Sequence, residues 1–280
     1  MKIYVILSLF FNSLVVAQTF EYLSSIGKFN DASSFYISAN GYLYITDTGD
    51  DELILMDTLG NEIKSAGGYG WDDNLFDEPV DVFADPLSVY VADKNNHSIK
   101  RFDKNLNFIS LLNKKESSYP EEQFGYPLSC ATSNLGDLYF LDSENKRVMK
   151  FDVFGNFITS FGGIDAGKYQ LKEPKQLAIS SSNNIYIIDG SEIIIYDHFG
   201  NGINKIETSL HLSSIRIVFD QLLVTARDQV YLSSLNSPDT KMTSIGLTGY
   251  ETGNIRSAVL FNSRLYVLTS TSILIFAKIN

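Results

Sequence analysis

Four aspartates recur along this sequence at the ends of short apolar runs: Asp47, Asp93, Asp142 and Asp189. Carboxylates can serve as general acids, bases or metal ligands, and a calcium ion takes six or more oxygens at once. These four are 46, 49 and 47 residues apart, and each holds the same place in its run. A period of that size assigns one carboxylate to each unit of a repeat architecture. A reactive site needs convergence, whereas this spacing spreads one residue around a ring. The expected role is structural, with each carboxylate accepting hydrogen bonds from backbone N–H groups of the loop that follows. Asp57, Asp103, Asp152 and Asp197, which close the next apolar run of each unit, carry the same expectation.

Metal chemistry would draw on the three histidines, His97, His198 and His211. Zinc wants three or four ligands together, and these histidines fall in different units. Cys130 is the single cysteine, so no intrachain disulfide is available, and it reads as a small buried hydrophobe. The sequence has no Gly-x-Ser-x-Gly elbow, no His-Glu-x-x-His, no Cys-x-x-Cys and no glycine-rich phosphate loop ahead of a helix. Nothing in it calls for a catalytic residue, a cofactor or a bound metal.

The elements that carry these residues are short strands. Gly41-Tyr42-Leu43-Tyr44-Ile45-Thr46-Asp47 has counterparts at residues 87–93, 136–142 and 183–189. Degenerate copies at 222–226 and 265–269 put Ala226 and Thr269 where the Asp would be, which makes six units. After each Asp comes a polar loop, a second apolar run, a tight turn such as Phe154-Gly155-Asn156, and a further strand. Glycine and asparagine tolerate the positive φ of such turns. Pro79, Pro127 and Pro174 open units, where a missing N–H is tolerable at the first residue of a strand.

Residues 90–103, Tyr-Val-Ala-Asp-Lys-Asn-Asn-His-Ser-Ile-Lys-Arg-Phe-Asp, closely match the signature of one repeat family, and residues 142–148 continue the match. On these segments the chain resembles NHL-repeat six-bladed β-propellers of the bacterial exported type. The resemblance covers the region after residue 17, clearest in the first four units. It implies an all-β, six-bladed propeller of four-stranded antiparallel blades. Some six-bladed propellers are lyases with histidines gathered on the central axis, and lactonase-like ones hold calcium with Asp, Asn and Glu. The innermost strands are expected at 35–38, 80–84, 128–132, 175–179, 215–219 and 257–261, and Asp81 is the only carboxylate in them. That is a thin ligand set for a metal-assisted lyase or lactonase at the channel mouth, which remains the alternative reading.

The last unit, 256–280, has room for only three strands. The segment 19–27 is expected to supply the fourth and close the ring, covering edges that would otherwise template aggregation. In such a blade the loop after the second strand and the connection to the next blade emerge on one face. Tyr69, Trp71, Asp72, Asp73, Tyr119, Glu121, Glu122, Tyr126 and Tyr169 gather there, aromatics with polar tips interleaved with acids. Such residues suit a surface that binds a protein, peptide or glycan. Phe76 and Phe124, just ahead of blade openings, are expected to be buried instead.

Residues 1–17 combine Lys2, an apolar stretch and the small residues Val15-Val16-Ala17, a secretory signal pattern. The stretch is interrupted by Asn12 and falls short of the ~20 residues of a spanning helix. Residues 18–280 are therefore expected as one exported propeller, periplasmic or extracellular, without stable membrane insertion. The formal charge of −11 makes nucleic acid a poor partner, since a polyanion is bound through clustered Lys and Arg. The expected function is an exported binding or scaffolding module. Mass spectrometry of the exported protein should find a mature chain beginning at Gln18; a chain retaining Met1 would overturn the processing.

Overall fold

The computed structural model describes residues 18–218, 220–235 and 242–279. The signal pattern at 1–17, Phe219 of the expected fifth inner strand and Asn280 lie outside the described residues. Six sheets stand around a central axis, and the first five are four-stranded with their strands in sequence order. Their innermost strands are Ala32–Ile37, Pro79–Ala84, Pro127–Thr132, Pro174–Ile179 and Ser214–Val218, and Ser257–Phe261 is the innermost of the sixth. This is the six-bladed β-propeller that the repeat period predicts.

The middle strands of each blade are apolar along their whole length because both faces are covered. Successive side chains of a strand point to opposite faces. Leu43 and Ile45 accordingly pack toward blade six, while Tyr44 between them packs toward blade two. The described residues form six buried clusters, one at each junction between neighbouring blades. The core of the molecule is therefore a ring of six interfaces.

The outer hairpins are set by Asp and Asn. Asp57 Oδ1 accepts from the backbone N–H groups of Leu59 and Asn61, both at 2.9 Å, and Asn61 Nδ2 donates to Oδ2 at 2.8 Å. Asp103, Asp152 and Asp197 repeat the arrangement with Asn107, Asn156 and Asn201. The Asn61 and Asn156 contacts, followed by the other backbone donors, hold Asp57 and Asp152 below the ordinary Asp value of 3.8. A depressed carboxyl favours the folded state fully above its unfolded value. The contribution is lost as pH falls through the folded value, so these turns weaken only in acid below about pH 4.

Ring closure follows the expected route with one addition. Thr19–Ile26 pairs antiparallel with Ile273–Ile279, from Thr19 opposite Ile279 to Ile26 opposite Ile273. Phe20 is buried by this pairing at the junction of blades five and six. On the other edge of Thr19–Ile26, Gly246–Thr248 adds a parallel fifth strand. The residues just before it, Thr243–Ser244, pair with Tyr231 and Leu232 of blade five. One short segment thus straps two blades together, a crossing that the degenerate repeat gave no sign of. Deleting residues 18–28 should lower the melting temperature of the whole domain in one cooperative transition, and an unchanged melting temperature would contradict this closure.

Candidate functional site

The centre of the ring is occupied by protein. Ser34, Asp81, Ser129, Gln176, Ser214 and Ser257 stand one per blade and all are buried. Four of them pair with the residue just before the end of the second strand, Thr46, Ala92, Ile188 and Thr225, and Ser257 pairs with Leu268 at the end of its strand. Asp81 is the hub of this tier. Its Oδ1 accepts from Ser34 Oγ at 2.6 Å, Arg216 Nη2 at 2.8 Å and Gln176 Nε2 at 3.0 Å. Its Oδ2 accepts from Ser129 Oγ at 2.6 Å and from the Cys130 N–H at 3.4 Å. Arg216 also donates to the Phe35 carbonyl and to Ser34. Every lone pair that a cation would need on Asp81 is already engaged. Cys130 is buried beside it, and burial pushes its thiol well above the ordinary range.

The repeated strand-end aspartates do accept from backbone N–H groups, but the donors are placed differently from the expectation. Asp47 binds the N–H groups of Asn30 and Asp31, both at 2.7 Å, and Asp189 binds those of Lys172 and Glu173. Asp93 takes Asp77, and Asp142 takes Gly125. These donors lie in the connection that enters the blade, ahead of its inner strand. Of the backbone N–H groups in the following loops, only those of Gly49 and Asn145 donate, while Asn96 and Asn145 add their side-chain amides. The reason is proximity: the second strand ends beside the start of the first, so its terminal carboxylate meets the incoming chain.

Those connections and the loops after the second strands form one face. The Lys94 N–H donates to the Glu78 carbonyl, and the Gly190 N–H to that of Glu173. At blade two the Asn95-Asn96-His97 segment joins two connections. Asn96 Nδ2 donates to the Gly70 carbonyl at 2.8 Å, while His97 Nδ1 accepts from the Tyr126 N–H at 3.1 Å. His97 Nε2 faces Lys115 Nζ at 2.6 Å. Burial and then the Lys115 charge lower the His97 pKa, with Glu144 opposing. His97 Nδ1 is thus the acceptor that positions the Tyr126 backbone.

Tyr69 and Trp71 stand on this face with 64% and 72% of their surface exposed, their rings edge-to-face at 5.7 Å. Asp72, Asp73, Tyr119, Glu121 and Tyr126 are also exposed. Glu122 is drawn down to Lys114, and Tyr169 is half-buried against Tyr196 of blade four, so these two add little to the open surface. Phe76 and Phe124 are buried as expected. His198 lies in an outer turn on the opposite face, and His211 in the connection before Ser214–Val218. No group of three or more His, Cys, Asp or Glu among the described residues is arranged to hold a metal.

Sequence reasoning passed over Lys100. It is buried, paired with the buried Asp93 at 3.0 Å, and donates to the carbonyls of Asp72 and Leu75. Burial raises the Asp93 carboxyl above the ordinary range, with Asn96 and Lys100 opposing. The corresponding positions in the other blades are Ile54, Met149, Ile194, Tyr231 and Leu274, so a lysine here breaks the repeat. That break was the signal available in the sequence.

Fold and face together define a six-bladed propeller with an ordered loop face. No family model matches the chain. A stretch of 151 residues is 28% identical to Protein brain tumor of Drosophila melanogaster, covering 52% of this chain and 14% of that protein. Over 211 residues it is 24% identical to Protein SUPPRESSOR OF QUENCHING 1, chloroplastic, of Arabidopsis thaliana, covering 63% of this chain and 20% of that one. The chain thus spans only 14% and 20% of the length of these curated relatives. Among solved structures, a streptogramin B lyase superposes with a TM-score of 0.66 at 11% identity, over 92% of this chain and 98% of that one. A luciferin-regenerating enzyme superposes with a TM-score of 0.64 at 11% identity, over 93% and 95%. At such identities the likeness is one of fold.

Removing one partner of a buried ion pair leaves an uncompensated charge, at about 3–5 kcal/mol. Arg216→Met should therefore destabilise the protein by about that amount in urea denaturation. Asp81→Asn in the same chain should recover a large part of it, and a stability loss no smaller in the double variant would contradict the pairing.

Proposed function

We propose that this protein is an exported binding or scaffolding propeller of the NHL type that docks a protein, peptide or glycan on its loop face. The observation that carries the reading is the pair Tyr69 and Trp71, exposed yet held on an ordered backbone. Large aromatic side chains in water are the usual anchors of recognition, and a backbone already fixed reduces the ordering cost of binding. The N-terminal secretory pattern supports action in the periplasm or outside the cell. The 28% identity with Protein brain tumor supports the NHL assignment.

The metal-assisted lyase or lactonase reading has less support. Superposition with a lyase concerns the fold, and Asp81, on which a channel-mouth cation would depend, has both oxygens engaged by protein donors. The loop-face reading is tested by affinity capture from the exported fraction. Trp71→Ala with Tyr119→Ala should abolish retention of partners, whereas Phe154→Ser, on an exposed turn of the opposite face, should leave it intact. Capture lost in the second variant and kept in the first would overturn the assignment.

A further inference from the structure

The loop that presents Trp71 is fixed from below by the buried Lys100–Asp93 pair, much as Arg147, paired with Asp142, holds the Gln123 carbonyl at blade three. The Gly70 N–H donates to the Phe76 carbonyl and the Phe76 N–H to that of Gly68, both at 2.9 Å, a parallel bridge between Tyr69 and Phe76 that closes the loop on itself. Lys100 Nζ reaches up from the blade to the Asp72 carbonyl at 2.9 Å and to that of Leu75, and Asn96 holds Gly70. Gly70 packs closely on Leu75, and a Cβ at this position would stand 2.5 Å from Leu75 Cδ1, so that side chain would have to shift. A buried ion pair is weak in net stabilisation because both charges lose their hydration. Its effect at this place is to order a surface loop and thereby its two exposed rings.

The surroundings of those rings are anionic. Asp72 and Asp73 follow Trp71 directly and are exposed. Asp51 sits at the foot of the same loop, its carbonyl accepting from the Gly68 N–H and its carboxylate from the Glu78 N–H at 2.8 Å. Asp50 and Glu52 flank it. Three cations of this flank are already committed, Lys94 to Glu78, Lys100 to Asp93 and Arg256 to Asp31. Among the described residues Asp50, Asp51, Glu52, Asp72 and Asp73 have no ion-pair partner. The excess is felt locally: burial, and then the carboxylates of Asp50, Glu62 and Asp47, raise Glu52 above the ordinary Glu range.

We propose that the Tyr69–Trp71 platform takes a Lys- and Arg-rich peptide segment of a protein partner, and this rests on the loop-face reading above. The aliphatic stems of such side chains cover aromatic surface while their heads stay solvated, and a cation over a Trp or Tyr face is attracted by the ring. The heads meet Asp72, Asp73, Asp50 and Asp51, and the charge complementarity steers encounter and selects against acidic partners. A neutral sugar would stack on the rings but leave this potential uncompensated.

Trp71 is the only tryptophan of the chain, so its emission reports on this loop alone. Titration with a short peptide of alternating Lys/Arg and Gly should change the emission saturably. A Glu/Gly peptide and a neutral N-acetylglucosamine oligosaccharide should not. Asp72→Asn with Asp73→Asn, both exposed and so without effect on the melting temperature, should weaken the basic peptide by about tenfold. Added salt should weaken it further. No response to the basic peptide, an equal response to the acidic one, or a response to the sugar alone overturns this inference. The two readings separate cleanly: if partner capture still depends on Trp71 and Tyr119, the loop face stands and only its cationic ligand is wrong. If capture ignores those residues, the loop-face reading itself has failed.

Discussion

Asp81 and Arg216 meet at the centre of the ring from blades that stand opposite one another, and the remaining polar side chains of the channel are arranged around that contact. The six interblade clusters are built from similar apolar residues and would by themselves tolerate shifted or incomplete rings. A buried carboxylate whose oxygens accept from Ser34, Ser129, Gln176 and Arg216 tolerates much less, because displacing any of the first five blades leaves polar groups desolvated and unpaired. Apolar packing supplies the bulk of the stability, and the polar centre supplies the uniqueness of the arrangement. It also fills the middle of the ring with protein side chains.

The repeated aspartates solve a different problem. Each connection between blades is long and crosses the face of the molecule, so its backbone N–H groups need acceptors. A carboxylate at the end of the second strand is within reach of the chain entering the same blade, and in blades one to four it takes one or two of those groups. At blade two the device is extended. Asp93 also holds Lys100 and Asn96, and these in turn hold the backbone beneath Tyr69 and Trp71. The repeated carboxylate thus becomes, through one lysine at blade two, the support of an exposed aromatic pair.

Much of this was legible in the residues. The period of the Asp-terminated runs gave the blade count, the three-strand remainder at the C-terminus gave the closing strand, and the prolines gave the starts of three inner strands. Phe76 and Phe124 were recognisable as core because they precede blade openings. Tyr169 was not separable from Trp71, since both are aromatic residues in a connection, and only packing against Tyr196 distinguishes them. The strap at Thr243–Thr248 was equally hidden, because a two- or three-residue pairing leaves no hydrophobic period to read.

The sequence by itself determined what depends on local chemistry repeated at a fixed interval: strands, turns, blade number and the two-faced burial of each run. Tertiary structure alone decided what depends on residues distant in the chain meeting in space. Asp81 reads as an isolated carboxylate until Arg216, 135 residues away, is brought across the ring to it. Lys100 reads as one more charge on a strand until the fold turns it inward beneath the loop that carries Trp71. Periodicity survives in one dimension because every unit obeys the same packing rule. Pairing across the ring does not, because any of several residues could satisfy it until closure sets the distances.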